Sequence, residues 1–239
     1  SCSETNTDYE SNSSNAASTN EWKTYEVEIE AETNKSADKS TTTKAEIPFK
    51  ITEENIGGKA ILYPKLNITQ ESMPSLVVLY NKANGAKEII EADWRVDKSD
   101  AEIKFILNKM TLKSDLSNGE WYIMSFMGGQ KNGDKLTVNT RTTLNLIEKD
   151  QEFTTTCPFA TTWRRIVKSG DKLKLSNESK KMVFKPQGVF LVLSLESRMT
   201  LPTKLNRSIT MESNAFCSSG EYIFNINGND VADDNDKAA

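Results

Sequence analysis

Hydrophobic and polar residues alternate along much of this chain with a period of two. The clearest case is YEVEIEAE, where Tyr25, Val27, Ile29 and Ala31 fall on one face and Glu26, Glu28, Glu30 and Glu32 on the other. Successive side chains of a strand point to opposite faces, so this pattern predicts a strand with one solvated face. KAEIPFKI (44–51) predicts a second strand, with Pro48 marking an edge or a bulge. Gly57-Gly58 marks a turn before KAILYPKLNIT. SLVVLYN (75–81) is a continuous apolar run of the length of a strand covered on both faces, and KEIIEADWRV returns from the hairpin signal Asn84-Gly85. Ile103, Phe105 and Leu107 predict a strand inside SDAEIKFILNKMTLKSDL, which is also the best helical candidate of the chain. Asn118-Gly119 leads into EWYIMSFMGG, Asn132-Gly133 is a further turn, and LTVNTRTTLNLI (136–147) alternates weakly. KLKLS, KKMVFKP, GVFLVLSLES, RSITMES and GEYIFNING follow as further strands.

These segments predict an all-β chain, read as tandem antiparallel β-sandwich domains with the second one small or incomplete. The expected division is a tether over 1–21, a first sandwich over 22–150, a second over 151–228, and an acidic tail over 229–239. The second segment offers about five strands where a full sandwich needs about seven, so it is small, borrows strands or is cut short. The runs Ser75–Tyr80, Trp121–Met127 and Val189–Leu195 are the expected core. The tether carries Tyr9 as its one large apolar side chain and has too little to bury to offset its ordering entropy.

Composition narrows the chemistry. The chain has 239 residues, 36% of them apolar, a formal net charge of −4 and no histidine; the mean hydropathy is −0.57. Without histidine, Ser-His and Cys-His dyads and most catalytic zinc sites are excluded. The acidic balance lacks the basic footprint of a nucleic-acid binder, so no nucleic-acid partner is expected. No run approaches the roughly 18 apolar residues of a membrane helix.

Cysteine usage adds two expectations. The opening Ser-Cys-Ser-Glu resembles the mature start of a bacterial lipoprotein, with Cys2 as the lipid attachment site that would hold the chain on a membrane without a spanning helix. Cys157 and Cys217 either pair in an oxidising compartment or remain two separate thiols in or near a core. No C-x-x-C pair is present.

The remaining chemical candidates are weak against simpler readings. The glutamates of 26–32 read as a solvated strand face. Asp97, Asp100 and Glu102 near Trp94 suggest a carbohydrate or calcium patch, or simply a polar loop. Asp230, Asp233, Asp234 and Asp236 lack the spacing of a calcium loop. Trp163-Arg164-Arg165 reads as a recognition patch, or as a tryptophan capping the sandwich end beside two solvated arginines. GGQKNG is a hairpin turn and not a phosphate loop. No catalytic residue, metal or cofactor is expected.

The run VFKPQGVFLVLSLES (183–197), followed by RSITMESNAFCSSGEYIF (207–224), resembles the opening of the second domain in the fimbrillin family, the subunits of type V pili in Bacteroides-like bacteria. Lys185, Pro186, Gly188, Ser213, Asn214, Gly220 and Tyr222 carry the likeness, over about 40 residues. The resemblance implies two transthyretin-like sandwiches, export as an outer-membrane lipoprotein, and removal of the first strand so that the next subunit's strand fills the groove. It also implies partners: other pilus subunits by strand exchange, the outer membrane through the lipid, and a ligand on a host or bacterial surface. The family's cleavage follows an arginine near the first strand, whereas the first arginine here is Arg95, inside the first domain. Under this reading the removable strand is Tyr25–Ala31. The competing expectations are a carbohydrate-binding surface lipoprotein of a nutrient-uptake system, needing a platform built from Trp22, Trp94, Trp121 or Trp163, and a hydrolase using two carboxylates about 5–10 Å apart.

Overall fold

A computed structural model of the chain describes residues 21–33, 47–66, 68–98, 103–133, 135–140, 154–187 and 220–224. The described residues form strands and no helix: β1 (Lys23–Thr33), β2 (Ile47–Ile56), β3 (Lys59–Leu66), β4 (Ser72–Asn81), β5 (Lys87–Asp97), β6 (Lys104–Leu112), β7 (Trp121–Met127), β8 (Gln130–Asn132), β9 (Lys135–Thr140), β10 (Thr154–Cys157), β11 (Phe159–Ala160), β12 (Arg164–Ser169), β13 (Lys172–Leu175), β14 (Met182–Pro186) and β15 (Gly220–Phe224). The all-β expectation holds.

The main sheet closes on itself. Its ring runs β1-β6-β5-β4-β7-β12-β13 and back to β1, a seven-stranded barrel. Strands β4 to β7 lie in the spatial order β7-β4-β5-β6, a Greek key. β12 and β13, from beyond residue 160, are staves of the same barrel as β1 and β4 to β7, so the pairings do not divide the chain into tandem sandwiches at residue 150. The expected boundary itself falls in 141–153, outside the described residues. The sheet is not purely antiparallel either: β1 pairs in parallel with β13 (Glu26↔Lys172) and with β14 (Ala31↔Met182).

The first strand is central rather than removable. β1 pairs with β6 from Lys23 to Glu32 on one side, and with β13 and β14 on the other. Exchange of Tyr25–Ala31 for a foreign strand is therefore corrected by the topology: taking out β1 would open the barrel along two seams. Its alternation has the expected consequence, with Val27, Ile29 and Ala31 buried inside and glutamates on the outer face.

The wall between β7 and β1 is built in two stages. β12 and β13 fill it near Trp121–Ile123 and Glu26–Glu28; β11 and β14 fill it near Phe126–Met127 and Ala31–Thr33. The changeover interrupts both strands, at 161–163 and 176–181. Arg164, which is buried, bridges these breaks: its Nε–H donates to the Lys180 and Lys181 carbonyls (3.0 and 3.1 Å) and its Nη1–H to the Trp163 carbonyl (2.7 Å). The expectation that both arginines are solvated is corrected for Arg164, because interrupted strands leave carbonyls that need a donor. Arg165 is exposed.

β4 and β7 are apolar on both faces because both faces are covered. Met73, Val77, Leu79, Trp121, Ile123 and Met127 point into the barrel, where Trp94 and Phe105 each meet Phe184 edge-on at 5.4 and 5.2 Å. Leu76, Val78, Tyr122, Met124 and Phe126 point outward into a second cluster with Leu136 of β9 and Trp163. Polar groups inside the wall are satisfied: Trp94 Nε1–H donates to Ser125 Oγ (2.9 Å), Ser125 Oγ to Ser75 Oγ (3.2 Å), and Ser75 Oγ to the Ala92 carbonyl (2.9 Å).

Two smaller sheets complete the description, β10-β2-β3 and β15-β9-β8. Pro48 lies at the start of β2, paired with Thr156 of β10 and beyond the stretch that pairs with β3. Its missing N–H thus costs no bond on the β3 side.

Candidate functional site

The Greek key requires the β6–β7 connection to cross the barrel end, since these two strands are not neighbours. Asn118-Gly119 is therefore part of a crossing loop and not a hairpin. Residues 113–120 are held there by side chains from three other elements. The Glu88 carboxylate accepts the Lys113 and Ser114 N–H groups (2.7 and 2.8 Å). Tyr25 donates its hydroxyl to the Ser114 carbonyl and accepts the Leu116 N–H (both 3.3 Å). Asn81 donates to the Asn118 carbonyl (3.4 Å). Leu116 is buried as the plug of this end.

Gly119 is fixed by close approach. Its φ is +93°, and a Cβ there would lie 2.2 Å from Asn81 Nδ2. Gly129 is fixed in the same way, since a Cβ would lie 2.7 Å from the Phe126 ring.

Beside the crossing loop opens a polar cavity of about 370 Å³, lined by Lys23 to Glu26 of β1, Asp115 and Ser117 of the loop, and Lys168 and Asp171 at the β12–β13 turn. Asp115 Oδ1 accepts the Ser117 hydroxyl (2.7 Å) and N–H (3.0 Å), and Lys23 lies 3.3 Å from Oδ2. The Ser117 bonds first, and Lys23 after them, hold the Asp115 carboxyl down at about 2. A carboxyl held ionised in this way has no proton to give near neutrality, so it does not suit a general acid.

Along the outer face of β1 the glutamates form a cross-strand ladder. Glu26 meets Lys109 (3.5 Å), Glu28 meets Lys174 and Lys172 (3.1 and 3.3 Å), and Glu32 meets Lys181 (2.6 Å). Lys174 and then Lys172 push the Glu28 pKa down. The ladder has the form of a solvated, charge-matched surface.

The sequence candidates scatter. Trp94, Trp121 and Trp163 are buried; Trp22 is 62% exposed, with the Lys113 ammonium 5.0 Å from its ring centre. Trp94 thus offers no surface for a patch with Asp97, while Asp100 and Glu102 lie outside the described residues. Trp163 packs edge-on to Tyr80 at 6.3 Å in the outer cluster, not in a recognition patch. Lys185 and Pro186 lie on β14, paired with Ala160 and Phe159, and Gly220 and Tyr222 lie on β15, paired with Thr140 and Val138. Gly188, Ser213 and Asn214, the attachment cysteine Cys2, Cys217, the core run 189–195 and the tail aspartates lie outside the described residues. Cys157 is buried, with Sγ 3.4 Å from the Pro158 carbonyl. Among the described residues no three His, Cys, Asp or Glu side chains are placed to hold a metal ion.

Sequence reasoning missed β8, β10, β11 and β12, and with β12 the cavity at the β12–β13 turn. TTTC lacks apolar alternation, although its three β-branched threonines are a strand signal. In RRIVKS, Ile166 faces the core between the outer residues Arg165 and Val167, an alternation that the adjacent tryptophan and arginine pair obscured. The chain matches no protein-family model, no curated protein and no solved structure.

Proposed function

We propose that this chain is a non-enzymatic, surface-anchored subunit of a fimbrium or related adhesive structure, of the fimbrillin type, held at the outer membrane through Cys2 and assembling by β-strand addition. What supports strand addition is where the backbone edges lie. The barrel consumes its own edges by closing, so among the described residues the longest strand paired on one side alone is β3, bonded to β2 from Leu66 to Lys59. Pro64 and Lys65 guard one end of it and leave Lys59–Tyr63 as the segment for pairing. The addition site therefore moves from β1, where the sequence placed it, to β3. The second half of the chain is, in this reading, the part that lends strands to the first instead of a self-standing transthyretin-like sandwich. For the carbohydrate-binding alternative, Trp22 is left as the one exposed indole of four.

The test is a photo-cross-linking residue at position 60 in the protein on its producing cells. A ladder of like subunits is expected, lost when Ile61 and Tyr63 are both replaced by lysine. Capture of no like subunit, or a ladder indifferent to those lysines, would reject assembly through β3.

A further inference from the structure

The cavity at the entry end of the barrel contains charges that the fold itself does not use. Lys23 is committed to Asp115, and Glu26 to Lys109. Lys168 and Asp171 also line the cavity, and among the described residues neither side chain makes an ion pair or hydrogen bond, with the other or with a third residue. One cation and one anion thus face a shared space of about 370 Å³ without neutralising each other. That volume is in the range of small-molecule sites, about 300–1,000 Å³.

The register adds a third element. β1 pairs with β6 from Lys23 onward, but its pairing with β13 begins only at Glu26. On the β13 side, Lys23, Thr24 and Tyr25 therefore present a short backbone edge to the cavity, with no strand partner among the described residues. Along a strand every second residue directs its N–H and C=O to a given side, so this edge offers both a donor and an acceptor to an extended amide. Three residues at about 3.3 Å each set the length of what can lie along it.

We propose that this cavity binds a short zwitterionic peptide of two or three residues in extended form. Its carboxylate is met by Lys168, its ammonium by Asp171, and its amide by the β1 edge at 23–25. A simple anion would leave Asp171 facing it, and a simple cation would leave Lys168; a ligand carrying both charges satisfies both. The site is separate from the β3 edge and does not depend on assembly there.

The experiment is amide chemical-shift titration of the full chain with triglycine, alongside N-acetyl-triglycine, triglycinamide and inorganic phosphate. Saturable shifts centred on residues 23–26 and 168–171 are expected for triglycine. Removal of either terminal charge should weaken binding by roughly tenfold or more, as should Lys168→Met or Asp171→Asn. Both side chains are exposed, so both variants should keep the melting temperature of the parent. Absence of saturable shifts, shifts elsewhere, equal binding of the N-acetylated peptide, or equal binding of phosphate alone would each overturn the proposal.

Discussion

At Gly119, a single hydrogen atom decides whether the crossing loop fits. A methyl group there would drive into the Asn81 amide, and the backbone sits at φ +93°. Asn81 cannot retreat cheaply, because its Oδ1 accepts the Ala83 N–H at 2.9 Å while its Nδ2 serves Asn118. Gly119→Ala should therefore cost about 1–3 kcal/mol, the range of strained backbone and lost buried hydrogen bonds, measured by denaturant unfolding. Asp115 gives a prediction in pH. Its folded pKa of about 2 lies below the ordinary 3.8, so its contribution is fully present above about pH 4 and is lost as pH falls through 2. Asp115→Asn should flatten the stability profile across that window. Because the carboxylate is largely exposed, the effect should be small and shrink with added salt.

For elements, the question is what lets strands from distant parts of the chain share a wall. Arg164 spans the breaks at 161–163 and 176–181, and its removal would strand three carbonyls. Arg164→Met keeps much of the stem and loses the donors, and should cost about 1–3 kcal/mol, with hydrogen exchange accelerating first in 176–186. The crossing loop depends on its plug: Leu116→Ala should cost about 2–5 kcal/mol by leaving a cavity at the barrel end, read from chemical unfolding. β6 shows why the helical candidate was ambiguous. Its inward residues are Phe105 and Leu107, then Met110 and Leu112, because the register against β1 shifts between Glu26 and Ile29. One irregularity turns a spacing of two into a spacing of three, and Ile103, Leu107 and Met110 then imitate a helical stripe.

For the whole molecule, barrel closure makes distant segments interdependent. β1 and β4 to β7 lack a closed wall without β12 and β13, so a fragment ending at residue 150 should fail to unfold cooperatively, by calorimetry, where a self-sufficient first domain would give a sharp transition. The same topology predicts that proteolytic removal of residues up to 33 collapses the fold instead of opening a groove for another subunit.

How far the sequence reaches is clear from particular residues. The alternation at 25–32, the double-sided apolar runs at 75–80 and 121–127, and the turns at Gly57-Gly58, Asn84-Gly85 and Asn132-Gly133 are local signals, carried by side-chain period and backbone conformation within a few residues, and each is found where expected. For these segments strand identity was determined by the chain itself. Which strands became neighbours was not: the parallel union of β1 with β13 joins residues about 145 positions apart, and the period of a strand is the same whether it ends in a sandwich or a barrel. Partner choice, closure, the burial of Arg164 and the meeting of Lys168 and Asp171 with the start of β1 were decided only in three dimensions, because backbone edges are chemically alike and it is the packing of both faces at once that selects among them.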